Sequence, residues 1–330
     1  MSIRTSVRAA VWNDTERRLR SPWRLLASVA LLFLGILVLQ FAVIVAVIVS
    51  GFSTVLFEGF FGFVVLTLAT APVVIAGLWV VARFVDRRRF TDYGLRVDRR
   101  WLADLGFGLA LGAALQTAVF LFGWSVGWFR VTGVFVAEGS FLLTMGGLLA
   151  LFVAVGVYEE LLARGWLLTN LAEGLRFVGE RGAVSGAVLV SSVVFGVLHL
   201  GNPGASVLSA AVISAAGVFL ALGYVLTGEL AIPIGVHVTW NFFQGPVFGL
   251  GVSGISMPAS VIATEPVGPE IATGGAFGPE AGALGIVAIA VGIVATVLWV
   301  WLLDGRVSVH PRLVVPQLRH RPNADETSRQ

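Results

Sequence analysis

Long apolar runs without charge constrain this chain more than any other feature of its sequence. The first run, Leu25 to Ser50, contains no charged residue, and comparable runs recur along the chain. About 18 or more apolar residues in succession indicate a membrane-spanning helix, because a helix satisfies its own backbone hydrogen bonds in lipid. The first run is also longer than the ~7–15-residue core of a signal peptide, so we expect it to remain as an anchor.

Composition supports a membrane protein, because only 12% of the residues are charged and 57% are hydrophobic. Charged residues make up about a quarter of a typical soluble domain. We therefore predict an all-α fold, a polytopic transmembrane helical bundle with about eight spans. The expected spans are about 23–50, 60–83, 101–128, 141–171, 183–200, 205–226, 230–248 and 281–303.

The distribution of arginine predicts the orientation of the bundle. Nearly all arginines fall in the two ends of the chain or in the connections on the same side, and Arg130 falls on the other side. This asymmetry predicts that both termini are cytoplasmic. We expect residues 1–22 and 305–330 to form cytoplasmic tails, exposed or at the membrane interface, and the arginine-rich connection 86–100 to be interfacial.

Charge and cysteine content exclude several classes of function. The net charge is +3 and the isoelectric point is 10.1, but the basic residues flank the apolar runs and form no single stripe, so we expect no nucleic-acid partner. The chain has no cysteine, which excludes disulfides, thiolate metal ligands and a cysteine nucleophile. We expect membrane lipid to surround the apolar helices.

Three charged side chains interrupt the fourth apolar run: Glu159, Glu160 and Arg164. Ionised groups at bilayer depth cost roughly 2.5–3.5 kcal/mol each on insertion scales, so they indicate a functional site facing the protein interior. Residues four apart share a helix face, so Glu160 and Arg164 should form an ion pair. Glu159 points away from that pair and could serve as a general base. A buried network that only locks helices together is the alternative.

Two more polar clusters follow in later apolar segments. His199 lies four residues after Phe195 and should project from the same helix face, although a histidine at a helix end can also be merely structural. His237 and Asn241 are likewise four apart in a short apolar helix, where two polar side chains on one face are hard to explain by packing. We predict that all three clusters meet in one active site.

These residue types favour hydrolysis of an acyl bond. A glutamate with a histidine can deprotonate water, and a second histidine with an asparagine amide can stabilise an oxyanion. Alternatively, Glu159, His199 and His237 could ligate a divalent metal such as zinc, whose bound water attacks. Serine chemistry is less favoured because the G-x-S-x-G elbow is absent, and so is the zinc-protease motif H-E-x-x-H.

The ordered motifs Glu159-Glu160-x-x-x-Arg164, Phe195-x-x-x-His199 and His237-x-x-x-Asn241 resemble the CPBP intramembrane protease family. That family includes CAAX-processing endopeptidases, abortive-infection-type proteins and lysostaphin resistance protein A-like proteins. The resemblance covers about 94–244, so we expect a protease core at about 94–250 within a transmembrane region at 23–304.

The resemblance implies a role for each residue that matches the motifs. Glu159 would activate water with the help of His199, while His237 and Asn241 would hold the oxyanion. Three residues would support the site: Glu160, Arg164 and Phe195. Both a metalloprotease and a metal-free glutamate mechanism have been argued for the family. Its best-known substrates are prenylated proteins with a C-terminal CAAX box, so a peptide or a lipidated protein is the expected partner here.

Two other functions are compatible with the same clusters. A proton-coupled transporter could use Glu159, Glu160 and His237 as a relay, although no inverted repeat supports it. A non-proteolytic immunity or scaffold protein could retain the cluster and only bind partners. The segment 251–280, rich in glycine and proline, is either mobile or covers another part of the protein.

Overall fold

The computed structural model describes residues 8–50, 59–313, 315–316 and 318–319. The predicted turn at 51–58 and the ends of both predicted tails, 1–7 and 320–330, lie outside the described residues. Helices dominate the described part of the chain, which confirms the predicted all-α polytopic bundle.

The α-helices follow the apolar runs of the sequence closely. Seven helices among the described residues are long and apolar enough to cross a membrane. The α-helices that position the site have these bounds: α1 Ser21–Ser50, α2 Gly59–Val80, α3 Arg99–Ser125, α4 Phe141–Glu160, α5 Thr169–Gly174, α6 Glu180–Leu198, α7 Val207–Thr227, α8 Ala231–Phe242, α9 Glu270–Thr273 and α10 Ala283–Asp304. The helices α4 and α5 are joined without a break by a π-helical stretch, Leu161–Leu168.

The seventh expected span, 230–248, has nearly the predicted bounds but is only partly α-helical. Its α-helical part, α8, has 12 residues, and a π-helical turn at Phe243–Val247 extends it. A full crossing needs about 20 residues. Almost every residue of α8 is buried, so this helix is enclosed by the bundle, and its length need not match the bilayer.

Close contact between α3 and α8 sets the position of the buried helix. A Cβ atom added at Gly108 would lie 2.5 Å from the carbonyl oxygen of Ile232, and one added at Gly112 would lie 2.6 Å from that of Val236. Only glycine allows the two backbones to approach this closely, as the small-xxx-small spacing predicts. The contact holds α8 rigidly beside α3.

Two large groups of buried apolar side chains fill the bundle. One contains Leu78, Leu168 and Leu230 and lies around the end of the π-helical stretch. The other includes Phe120 and Phe248, whose rings stack with centroids 4.4 Å apart. Together they hold the elements that carry the site in fixed positions.

Two connections that were expected to be loops form a sheet. A short pair near the N-terminus, β1 Trp12–Asn13 and β2 Arg18–Leu19, is separate from it. The strand β3, Phe129–Ala137, pairs antiparallel with β4, Ala259–Pro266, across a register irregularity between Val131 and Gly133. The valine-rich, partly alternating sequence of β3 favours a strand, but its partner lies more than a hundred residues away. The pairing fixes the predicted 251–280 loop against the bundle.

The arginine-rich N-terminal segment is partly buried, contrary to the expectation of an exposed or interfacial tail. Glu173 pairs with Arg18 at 2.9 Å, with Arg24 at 2.7 Å and with Arg88. Asp86 lies 3.1 Å from Arg24, and all five side chains are buried. Burial alone would lower the pKa of Arg88, but the carboxylates of Glu173 and Asp86 raise it above its ordinary value. Mutual pairing is what allows these charges to leave the surface.

Both described ends of the chain lie at the same end of the bundle. The side chain of Arg18 donates to the carbonyl of Asp86 at 3.0 Å, and the backbone N–H of Arg319 donates to the carbonyl of Arg87 at 2.9 Å. The connection after α2 therefore contacts both described ends of the chain.

Candidate active site

A cavity of about 830 Å³ opens between the helices, and its wall is mainly apolar. Five of the seven predicted site residues line it: Glu159, Phe195, His199, His237 and Asn241. The helices α1 and α2, which carry none of the motifs, add apolar side chains to the same wall. The other two predicted residues lie directly behind it.

Behind the cavity wall lies the buried ion pair of Glu160 and Arg164. The guanidinium nitrogen Nη1 of Arg164 lies 2.7 Å from Oε1 of Glu160, as the four-residue spacing predicted. Its Nη2 donates to the carbonyl of Gly217 at 3.0 Å, and the guanidinium lies 4.4 Å from the ring centroid of Phe195. Both charged side chains are at most 1% exposed. The π-helical stretch that begins after Glu160 was not predicted, and such stretches often occur at functional sites.

His237 lies between the two adjacent carboxylates. Its Nδ1 is 2.7 Å from Oε1 of Glu160, and its Nε2 is 3.9 Å from Oε2 of Glu159. Since an ionised carboxylate only accepts hydrogen bonds, Nδ1 carries a proton. The pair Glu160–Arg164 therefore fixes the orientation of the imidazole and directs Nε2 toward Glu159.

One carboxylate oxygen of Glu159 has a hydrogen-bond partner among the described residues, and the other has none. The hydroxyl of Tyr158 donates to Oε1 at 3.2 Å, whereas the buried Oε2 has no hydrogen-bond partner among the described residues. The 3.9 Å gap to Nε2 of His237 is too long for a direct hydrogen bond. A water lying to one side of this gap could hydrogen-bond to both atoms.

His199 lies in a short 3₁₀ turn, His199–Gly201, where α6 ends. Its Nδ1 is 2.7 Å from the carbonyl oxygen of Phe195. A carbonyl only accepts, so Nδ1 carries the proton and Nε2 retains its lone pair in the neutral ring. Such a nitrogen can accept a proton or a hydrogen bond.

The ring of Phe195 lies close to three other residues of the site. Its ring centroid lies 4.7 Å from that of His199 and 6.1 Å from that of His237, in addition to its contact with the Arg164 guanidinium. Asn241 lies one turn after His237 on α8 and lines the same cavity. The structure thus brings all seven predicted side chains together.

The residues present do not assemble the predicted zinc site. No group of three His, Cys, Asp or Glu side chains in the described part of the chain is arranged to hold a metal ion. The set Glu159, His199 and His237 therefore does not fit a divalent ion as it stands. Metal content stays a prediction, which elemental analysis of the purified protein would test.

Sequence reasoning missed the contribution of the 251–280 segment. Ser253 and Glu280 line the cavity opposite the motif residues. The segment is long, acidic and without a basic residue, which is a weak signal of a cover. Its contact with the site depends on the pairing of β3 with β4, which spacing along the chain does not reveal.

The core of the chain matches a known family. Residues 140–243 match the family model described as Type II CAAX prenyl endopeptidase Rce1-like, and the matched segment contains all seven predicted residues. Through this segment, the chain is similar to the Rce1-like family.

The Rce1-like match agrees with the family resemblance of the three motifs and supports an endopeptidase of the CAAX-protease type. Several helices of the described chain are long and apolar enough to hold it in a membrane. No curated protein and no solved structure matches the chain. The Rce1-like segment ends before Glu280, and α1, α2 and α10 lie outside it.

Proposed function

We propose that this Rce1-like protein is an intramembrane endopeptidase in which Glu159 activates the water that attacks a peptide bond. The proposal depends on one observation. The buried Oε2 of Glu159 has no partner among the described residues, and it faces Nε2 of His237 across 3.9 Å on the wall of a large cavity. A water held there would be confined, oriented and next to a base.

The reaction is a hydrolysis in which every proton has a defined place. The water oxygen bonds to the carbonyl carbon of the substrate while Glu159 takes one water proton. The carbon–nitrogen bond then breaks, and the proton passes from Glu159 to the leaving amine. General base and acid catalysis of this kind contributes about 10²–10⁴-fold.

His199 would assist Glu159 in positioning the water. Its Nδ1 is occupied by the carbonyl of Phe195, so the lone pair of Nε2 is available to accept a hydrogen bond. The Phe195 ring packs against the imidazole and limits its rotation.

His237 and Asn241 would stabilise the oxyanion. The two carboxylates beside His237 favour a protonated ring, which can donate from Nε2 as well as from Nδ1. The amide of Asn241 adds a neutral donor one turn away. Donors held in place before the reaction need no rearrangement as the negative charge develops.

The cavity supports a substrate with a long apolar group. Ligand pockets in proteins commonly enclose about 300–1,000 Å³, and this cavity of about 830 Å³ has an apolar wall to which α1 and α2 contribute. A prenylated peptide with a C-terminal CAAX box has both the lipid chain and the scissile bond that such a site requires. The substrate would reach the cavity from the membrane.

The orientation with both termini in the cytoplasm is part of the same proposal. Both described ends contact the connection after α2, and the arginines of the sequence concentrate on that side. Basic residues favour the cytoplasmic face.

The test is cleavage of a prenylated CAAX peptide by the purified full-length protein in detergent or vesicles, followed by mass spectrometry. We expect Glu159→Gln and His199→Ala to lower kcat at least about a hundredfold, because each removes a group that handles the water proton. Matched controls are Glu265→Gln and His310→Ala, which change the same residue types outside the cavity. Both controls should retain activity.

Two results would contradict the proposal. The first is full activity in Glu159→Gln with a correctly folded protein. The second is failure of the wild-type protein to cleave any peptide, prenylated or not, while still binding it, which would favour a scaffold that only binds.

A further inference from the structure

Five carboxylates are buried among the described residues: Asp86, Asp104, Glu160, Glu173 and Glu280. The first four each lie within 3.1 Å of an arginine nitrogen. Pairing of this kind is the usual condition for burying a charge. Glu280 has no arginine partner in the part of the chain that the structure describes, although it is only 7% exposed.

Hydrogen bonds from Ser253 hold Glu280 in place at the cavity wall. It lies in a 3₁₀ turn, Pro279–Ala281, directly before α10. Its Oε1 accepts hydrogen bonds from the backbone N–H and the hydroxyl of Ser253, the latter at 2.7 Å. These donors stabilise the carboxylate without neutralising its charge.

The position of Glu280 places an acidic group on the wall of the cavity that holds the motif residues. It lines the same cavity as Glu159 and His199, and it lies close enough to His199 for the two groups to interact electrostatically. None of the described residues that line the cavity is an arginine. The cavity wall therefore carries two carboxylates. Glu159 is assigned to water activation, and Glu280 has no role so far.

We propose that Glu280 is a specificity-determining residue that binds a cationic group of the peptide substrate, the side chain of a lysine or arginine within one or two residues of the bond that is cut. This inference rests on the proposed function. The incoming ammonium or guanidinium would give Glu280 the partner that each of the other buried carboxylates already has. A charge-assisted hydrogen bond in a confined site is about twice as strong as a neutral one.

Burial raises the pKa of Glu280, which agrees with a carboxylate that lacks a cation in the free protein. The groups that face it are the hydroxyl and N–H of Ser253, the amide of Gln244 and the imidazole of His199. The competing explanation for this buried carboxylate is purely structural: Glu280 would only accept hydrogen bonds that hold Ser253 in position.

The experiment compares peptides that differ in one charge. The probes are prenylated CAAX peptides with lysine, norleucine or glutamate at each position beside the scissile bond, and the measured quantity is kcat/KM for the full-length protein. At one of these positions we expect the wild-type protein to prefer lysine over its uncharged analogue norleucine by about tenfold, the scale of a hydrogen bond to a charged group. Glutamate should be the poorest of the three.

The variant Glu280→Gln removes the charge and keeps an oxygen that can accept from Ser253. We expect it to bring the ratio of lysine to norleucine peptide close to one. The control Glu265→Gln makes the same change in the same segment, on an exposed side chain paired with Arg130, and should keep the preference of the wild type.

The outcomes separate the two proposals. Wild-type cleavage without a preference for lysine overturns only this inference. An equal loss for all peptides in Glu280→Gln, with the ratio unchanged, shows a structural role and also overturns it. Absence of any cleavage by the wild-type protein refutes the proposed function and this inference with it. If Glu280→Gln fails to fold, the wild-type ratio alone decides.

Discussion

Replacing Arg164 by methionine is the sharpest test of how the site is held together. The substitution keeps an unbranched side chain behind the cavity wall but removes the guanidinium that pairs with Glu160 at 2.7 Å. It also removes the donor to the carbonyl of Gly217 and the charge over the Phe195 ring. Glu160 is left buried, with His237 as its hydrogen-bond partner among the described residues.

The expected cost follows from the burial of the pair. Removing one partner of a buried ion pair typically costs about 3–5 kcal/mol, because the other charge stays buried and uncompensated. A surface pair is worth only about 0–1 kcal/mol. Arg130 and Glu265 provide that comparison, since their side chains are 62% and 53% exposed. We therefore expect Arg164→Met to lower the free energy of unfolding by about 3–5 kcal/mol and Arg130→Met to lower it by less than about 1 kcal/mol.

The assay is reversible unfolding in mixed micelles of a mild detergent and a denaturing one, followed by circular dichroism. The double variant Glu160→Gln with Arg164→Met should recover part of the lost stability, because a neutral amide needs no cation. Coupling between residues in direct contact is commonly about 0.5–3 kcal/mol, which this measurement resolves. Cleavage of the peptide should fall in both variants, since His237 loses its oriented partner.

Two results would refute this reasoning. Equal losses of stability for Arg164→Met and Arg130→Met would show that the buried pair contributes no more than an exposed one. A double variant less stable than Arg164→Met alone would show that the cost is not that of an unpaired carboxylate.

Three further measurements test other parts of the structure. Gly108→Ala should impair folding, because the added Cβ would lie 2.5 Å from the carbonyl oxygen of Ile232. Gly106→Ala should be tolerated, because its added Cβ would meet nothing within 4 Å. Equal yields of folded protein for the two variants would contradict this prediction. Glu173→Gln should speed tryptic cleavage of the N-terminal segment, because this carboxylate pairs with three buried arginines; an unchanged digestion rate would count against the network. Burial raises the pKa of Glu280, so its contribution to stability is present at acidic pH and lost as pH rises through that pKa. The melting temperature of the wild type relative to Glu280→Gln should therefore decline as pH rises, and a difference independent of pH would contradict the prediction.

The sequence by itself determined the helical class and the positions of the spans. Long apolar runs leave no alternative to helices in lipid, so the predicted boundaries of most spans agree with the structure to within a few residues. It also indicated the pairing of Glu160 with Arg164, because a spacing of four residues is a local property of a helix. Polar and charged side chains within the apolar runs predicted which residues would gather, and five of the seven line one cavity.

Only the tertiary structure decided how the site is enclosed. The pairing of β3 with β4 joins segments far apart in the sequence, and it brings Glu280 to the cavity. Burial of Arg18 likewise depends on Glu173, which lies in a helix far along the chain. Periodicity and composition report which face of an element is apolar, but not which distant element covers it. Apart from local pairs such as Glu160 with Arg164, the partners of the buried charged groups are fixed by long-range packing, and that is the part of this protein that its sequence did not reveal.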